Sequence, residues 1–105
     1  MLIIDFKLDM TTQEYEELSE AVAPEIAQIP GLLRETWLWD PQTQDAGGVY
    51  LFDDDASVDR YLNGPVIQQL RGLPQVSEVR TRRFQVLEQP SSMTRGIQHT
   101  AASLL

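Results

Sequence analysis

The sequence predicts an α+β domain of ferredoxin-like order, β-α-β-β-α-β, in which a four-stranded antiparallel sheet carries its helices on one face. Three observations lead there. Strand-like alternation opens the chain and returns in its middle and near its end. Segments with helical spacing separate the first strand from the second and the third from the fourth. The chain has 105 residues, which is room for one domain.

In residues 2–8, Leu2, Ile4, Phe6 and Leu8 fall on one side and Asp5 and Lys7 on the other, the period of a strand with one covered face. Thr11 or Thr12 then offers an N-cap hydroxyl, and Glu14 supplies a first-turn acid. From 12 to about 28, Tyr15, Leu18, Val22 and Ile26 recur at three- and four-residue spacing, with glutamates elsewhere, so an amphipathic helix with a solvated acidic face is expected. Pro24 should kink or shorten it. Pro30-Gly31 stops the helix and opens a second strand over 32–40; residues 41–48 are turn-rich, and 49–52 resume strand character.

Val58, Tyr61 and Leu62 form the apolar stripe of a short helix over 56–62. Asn63-Gly64-Pro65 interrupts, and 66–70 makes another helical piece. Residues 76–88 read as a long final strand, and the Ser-, Thr- and Ala-rich remainder as an arm. The expected organisation is a domain over 1–89 and a C-terminal arm over 90–105, ordered only if it docks. The last strand carries apolar residues at both parities, Phe84 and Val86 on one and Val79 and Leu87 on the other. With helices on one face only, the other face predicts a second copy, a homodimer.

Charge narrows the function. Eight basic and 16 acidic residues give a net charge of −8, distributed as −12 over residues 1–59 and +4 over 60–105. This balance argues against binding nucleic acid and against docking to anionic membranes. There is no cysteine, so disulfides, thiolate nucleophiles and Cys-based metal sites are excluded. A single histidine, His99, excludes a His-pair metal motif. The start lacks a signal peptide's basic and apolar regions, and no run reaches the length of a membrane span, so a cytoplasmic protein is expected.

Pro30-Gly31-Leu32-Leu33, Trp37 and Asp45-Ala46-Gly47-Gly48-Val49-Tyr50-Leu51-Phe52, followed by Val76-Ser77-Glu78-Val79, Phe84-Gln85-Val86 and Glu88, resemble the mono-oxygenase YdhR family over roughly residues 1–97. The resemblance implies the dimeric α+β barrel, in which two sheets face each other. It also implies a relationship to small, cofactor-independent, quinone-forming mono-oxygenases that act on planar hydroxylated aromatics. No cofactor is therefore expected, and the partners are a second copy and a small aromatic molecule.

Trp37 and Trp39 share a strand face with Leu33 and Glu35 and would give a flat aromatic wall for a planar ligand, or simply fill the core or an interface. Tyr50, with Phe52 on one side of its strand, and Tyr61 on the second helix could each hydrogen-bond a substrate phenol or carbonyl, or satisfy a buried backbone group. Arg80 and Arg82 share a face with Phe84. Arg82, at a position where the family carries a basic residue, is the expected stabiliser of a phenolate or peroxy anion; its alternative is a salt bridge to Glu35, Glu78 or Glu88. Trp37 and Arg82 are thus the catalytic candidates, with Trp37, Tyr50, Tyr61 and Phe84 lining the substrate site.

Gly47-Gly48 suits a bulge, a turn or a close backbone approach. Asp53-Asp54-Asp55 lacks the spacing of a calcium loop and reads as a helix N-cap. His99, beyond the resemblance, is poor support for a haem ligand. Two other functions fit the same chain: a non-catalytic dimeric small-ligand-binding or stress-associated domain, and a muconolactone-isomerase-like enzyme in which Glu35 is the acid or base.

Overall fold

A strand whose alternate residues are Leu2, Ile4, Phe6 and Leu8 reaches its lowest free energy in the middle of a sheet, where that face is covered along its length. The computed structural model describes residues 1–96 and places β1 (Leu2–Leu8) there. Then follow α1 (Thr12–Ala27), β2 (Leu32–Asp40), β3 (Asp45–Phe52), α2 (Asp55–Leu62), α3 (Pro65–Gly72), β4 (Val76–Arg83) and a short α4 (Glu88–Met93). The four strands lie in the order β2-β3-β1-β4, every neighbouring pair antiparallel. The β-α-β-β-α-β order expected from the sequence is thus observed, its second helical region split into α2 and α3.

Register decides what shares a face. Leu2 opposes Tyr50, Ile4 opposes Gly48 and Phe6 opposes Ala46; on the far side of β3, Glu35 opposes Tyr50, Trp37 opposes Gly48 and Trp39 opposes Ala46. All of these lie on the face that the helices cover. Tyr15, Ile26, Val58, Tyr61 and Ile67 come down from α1, α2 and α3 as buried residues. Each large apolar side chain so buried contributes about 2 kcal/mol.

Thr11 caps α1 in a capping box: its hydroxyl accepts from the Glu14 N–H, and the Glu14 carboxylate accepts from the Thr11 N–H. Trp39 ties this helix to the sheet, its indole N–H donating to the Thr12 hydroxyl at 3.0 Å and its ring 5.2 Å from that of Tyr15. Asp54 caps α2 by accepting from the Ser57 N–H.

Several boundaries differ from the sequence reading. Helix α1 runs through Pro24 to Ala27. A proline so near the C-terminus removes only one late hydrogen bond, and buried Ile26 anchors the last turn. Strand β3 begins at Asp45 rather than 49: the Asp40 carboxylate accepts from the N–H groups of Gln42 and Thr43, and Gln44 at φ 63° closes the turn. Leu33 falls in an irregularity between Leu32 and Arg34, is 62% exposed and does not share the face of Glu35 and Trp37. Strand β4 ends at Arg83, which opposes Leu2. As an edge strand it pairs with β1, and beyond its end the Phe84 N–H still donates to the Met1 carbonyl. The chain then forms α4 and reaches β2, where the Arg34 guanidinium donates to the Gly96 carbonyl at 3.0 Å. The remainder of the arm, with His99, lies outside the described residues.

Gly47 and Gly48 sit inside β3, with the register against β1 unbroken through both. A Cβ on Gly47 would stand 2.0 Å from the Ile4 carbonyl oxygen. Gly47→Ala is expected to cost about 3 kcal/mol of stability by chemical denaturation, because one backbone must move off the other. Gly72→Ala, whose added Cβ meets nothing within 4 Å, is expected to be neutral or stabilising by about 0.5–1 kcal/mol.

Candidate active site

The helices do not seal the sheet completely. Between the sheet and α1 and α3 lies a cavity of about 190 Å³, walled mainly by apolar and aromatic side chains. Phe6 and Trp37 rise from the sheet, Tyr15 and Val22 come from α1, and Val66 and Leu70 from α3. Its polar groups are few: the carboxylates of Glu35 and Glu25, the hydroxyls of Tyr15, Tyr50, Tyr61 and Ser19, and the Gln69 amide.

Glu35 is the unusual member. The alternation of β2 puts its carboxyl on the covered face, a position that otherwise holds Trp37 and Trp39. Room for it comes from a glycine, since a Cβ on Gly48 would stand 2.6 Å from Glu35 Oε2 and 3.1 Å from the Tyr50 ring. The Tyr50 hydroxyl hydrogen-bonds to the Glu35 carboxyl, and the Tyr61 hydroxyl donates to Tyr50 at 3.4 Å. Glu35 Oε1 is buried and has no hydrogen-bond partner among the described residues. An orphaned carboxylate oxygen is costly unless a ligand or water satisfies it.

Burial raises Glu35 from its ordinary 4.5 to about 7, the Tyr50 hydrogen bond offsetting part of the effect. Burial also raises Tyr61 to about 12, against the Tyr50 hydrogen bond. Tyr15 rises to about 12 through burial and then the Glu35 charge. Burial, reinforced by Tyr61 and Glu35, drives Tyr50 far above a normal phenol. The three tyrosines therefore remain neutral donors, while Glu35 changes charge near neutral pH. Chemically the site can accept a proton at Glu35 and can donate hydrogen bonds to an oxyanion from tyrosines.

Of the residues singled out in the sequence, Trp37, Tyr50 and Tyr61 are brought together at this cavity. Arg82 and Phe84 are not. Arg82 opposes Ile3, whose side chain points away from the helices, and its guanidinium lies 5.8 Å from the centre of the half-exposed Phe84 ring. The sheet stands between this pair and the cavity, so the structure does not bring Arg82 or Phe84 together with Trp37. Strand parity alone left open which face holds the cleft. Arg80 pairs with Asp5 at 2.8 Å, and Arg83 pairs with Asp59. Tyr15 was missed as a lining residue because at helical spacing it reads as core. Glu35 carried a legible signal, an acid at an apolar-parity strand position beside Trp37.

Fold and cavity together define an α+β domain with an aromatic-walled cavity between its sheet and helices. The chain belongs to the family described as "Putative mono-oxygenase ydhR", whose model matches residues 1–97. No curated protein matches it. Among solved structures it resembles SnoaB, a cofactor-independent oxygenase from Streptomyces nogalater, at 19% identity and a TM-score of 0.60, over 84% of this chain and 95% of that one. A "putative antibiotic biosynthesis monooxygenase" from Deinococcus radiodurans aligns at 18% identity and a TM-score of 0.61, over 84% and 94%. The heme-degrader MhuD from Mycobacterium tuberculosis, solved with two hemes in its active site, aligns at 18% identity and a TM-score of 0.53, over 83% and 96%. These likenesses establish the shared fold.

Among the described residues the cavity lining includes no histidine, lysine or arginine, so none of these would supply haem with an imidazole ligand or its propionates with a cation. Among the described residues no group of three acids or imidazoles could hold a metal ion, and no helix is long and apolar enough to cross a membrane.

Glu35 links stability to pH. Its folded-state pKa lies above its unfolded one, so its contribution is full below about 4.5 and is lost as pH rises through about 7. Denaturation midpoints are expected to fall across that window in the wild type relative to Glu35→Gln, and a parallel pair of curves would show that Glu35 titrates normally.

Proposed function

We propose that the protein is a mono-oxygenase that oxidises a planar, hydroxylated aromatic bound in the helix–sheet cavity, with Glu35 as the base and without metal or flavin. The observation that carries this reading is the buried, unpartnered Glu35 Oε1 at an aromatic-walled cavity. Membership of the mono-oxygenase family supports it, as does the shared fold with a cofactor-independent oxygenase.

The substrate ring lies along Trp37 and presents an acidic C–H, activated by its phenol or ketone, to Glu35. Glu35 takes the proton, and the delocalised anion places its charge on an oxygen within reach of tyrosine hydroxyls. The anion passes one electron to O₂; the resulting radical and superoxide combine into a C–O bond and, with a proton, give a hydroperoxide. Loss of water from the hydroperoxide leaves a carbonyl. The sum is CH₂ plus O₂ to C=O plus H₂O, with no external reductant.

The face away from the cavity carries Leu38 and Phe84, 40% and 51% exposed, together with Val49 and Leu51. This supports a homodimer with the second copy packed there.

A second reading rests on the same raised carboxyl: an isomerase of muconolactone type would also use Glu35 to move a proton, but would consume no oxygen. Oxygen uptake with anthrone-like, tetracenone-like and dihydroxynaphthalene compounds, without added flavin or metal, separates the two. Uptake with quinone formation is expected, rising as pH passes through about 7. Glu35→Gln is expected to lower kcat about 100-fold or more. Trp37→Phe is expected to raise KM by about two- to fivefold with a smaller change in kcat. No uptake, with tight binding of a panel member, would instead indicate a ligand-binding domain.

A further inference from the structure

The charge inventory of the cavity points to the class of substrate. Among the described residues its lining contains two carboxylic acids, Glu35 inside and Glu25 on exposed helix surface, and no lysine, arginine or histidine. The groups that face Glu35 are Tyr50 from β3, Tyr61 from α2 and Tyr15 from α1, all neutral phenols; α3 contributes Val66, Ile67, Gln69 and Leu70, and β1 contributes Phe6, none of which titrates. The three arginines of β4 are engaged elsewhere: Arg80 with Asp5, Arg83 with Asp59, and Arg82 over Phe84 on the far face. A second anion entering this enclosure would meet a carboxylate in a poorly screened setting with no counter-charge.

Proton transfer to Glu35 respects that limit. A neutral substrate beside ionised Glu35 becomes an anion beside neutral Glu35, and the enclosure holds one negative charge throughout. A substrate bearing its own carboxylate would begin with two. It could enter only with Glu35 protonated, the form that cannot act as a base.

We propose that the cavity selects uncharged aromatics bearing one acidic proton and disfavours aromatic carboxylates, because Glu35 is the one acid inside it and no described lining residue carries a positive charge to neutralise another. This rests on the reading of Glu35 as the base and adds to it a rule of substrate choice.

The test is a binding titration, read by tryptophan fluorescence or calorimetry, of 2-naphthol against 3-hydroxy-2-naphthoate on the wild-type protein and on Glu35→Gln. At about pH 8, where Glu35 is ionised, the carboxylate is expected to bind the wild type at least about tenfold more weakly than the naphthol. The gap is expected to narrow at about pH 6 and to close in Glu35→Gln, which removes the charge and keeps the shape. Equal affinities in the wild type at the higher pH would overturn the proposal. So would a gap that persists in Glu35→Gln, which would make the exclusion steric, or a failure of both compounds to bind. Turnover is not read in this titration. A protein that shows the gap but consumes no oxygen with any substrate keeps the charge rule and loses the oxygenase reading; one that oxidises anthrone without the gap does the reverse.

Discussion

The close approach of β3 to β1 at Gly47 governs the arrangement around the site. With no side chain there, the two backbones meet at the Ile4 carbonyl, and an unbroken register carries on through Gly48 to Tyr50. That register sets Gly48 between Ile4 and Trp37, and Tyr50 between Leu2 and Glu35. Gly48 then leaves the slot into which the Glu35 carboxyl folds. One glycine fixes the spacing of the strands and the next admits an acid that any larger residue would displace. The pair is structural and, through Glu35, chemical.

Burying a carboxyl in an apolar layer is unfavourable, and folded domains usually avoid it or pair the charge. Here the acid is held by one phenol, which a second phenol supports, and one buried oxygen is left without a partner among the described residues. An arrangement of this kind weakens the fold locally and is expected where a ligand completes it. Neutral tyrosines around a titrating acid form a site whose single mobile charge is a proton's worth.

The two faces of the sheet differ in kind. The covered face holds the aromatic wall and the acid, while the arginines of β4 and the ring of Phe84 belong to the other face or to the edge. The likeness to an oxygenase and to a heme-degrader at 18–19% identity shows one fold shared by proteins of different described activities. The present lining has its own chemistry, in which phenols and a carboxyl occupy the space.

The order of the elements was legible because it depends on local periodicity: β1 alternates, α1 repeats at three and four with a capping box at Thr11, and Pro30-Gly31 and the 41–44 turn punctuate. The family was legible as well, in the run from Ala46 to Phe52. Strand ends were less so, since β4 ends where its pairing with Leu2 of β1 ends, and that partner lies some eighty residues away in the chain. Trp37, Tyr50 and Tyr61 could be named as candidates from residue type and parity. That they share a cavity with Glu35, and that Arg82 does not, was decided by the tertiary structure alone. Parity divides a strand into two faces but does not say which one the helices will cover. The bend at Leu33, the helix–sheet gap and the burial that raises Glu35 are sums over residues distant in sequence, and no local pattern encodes such a sum.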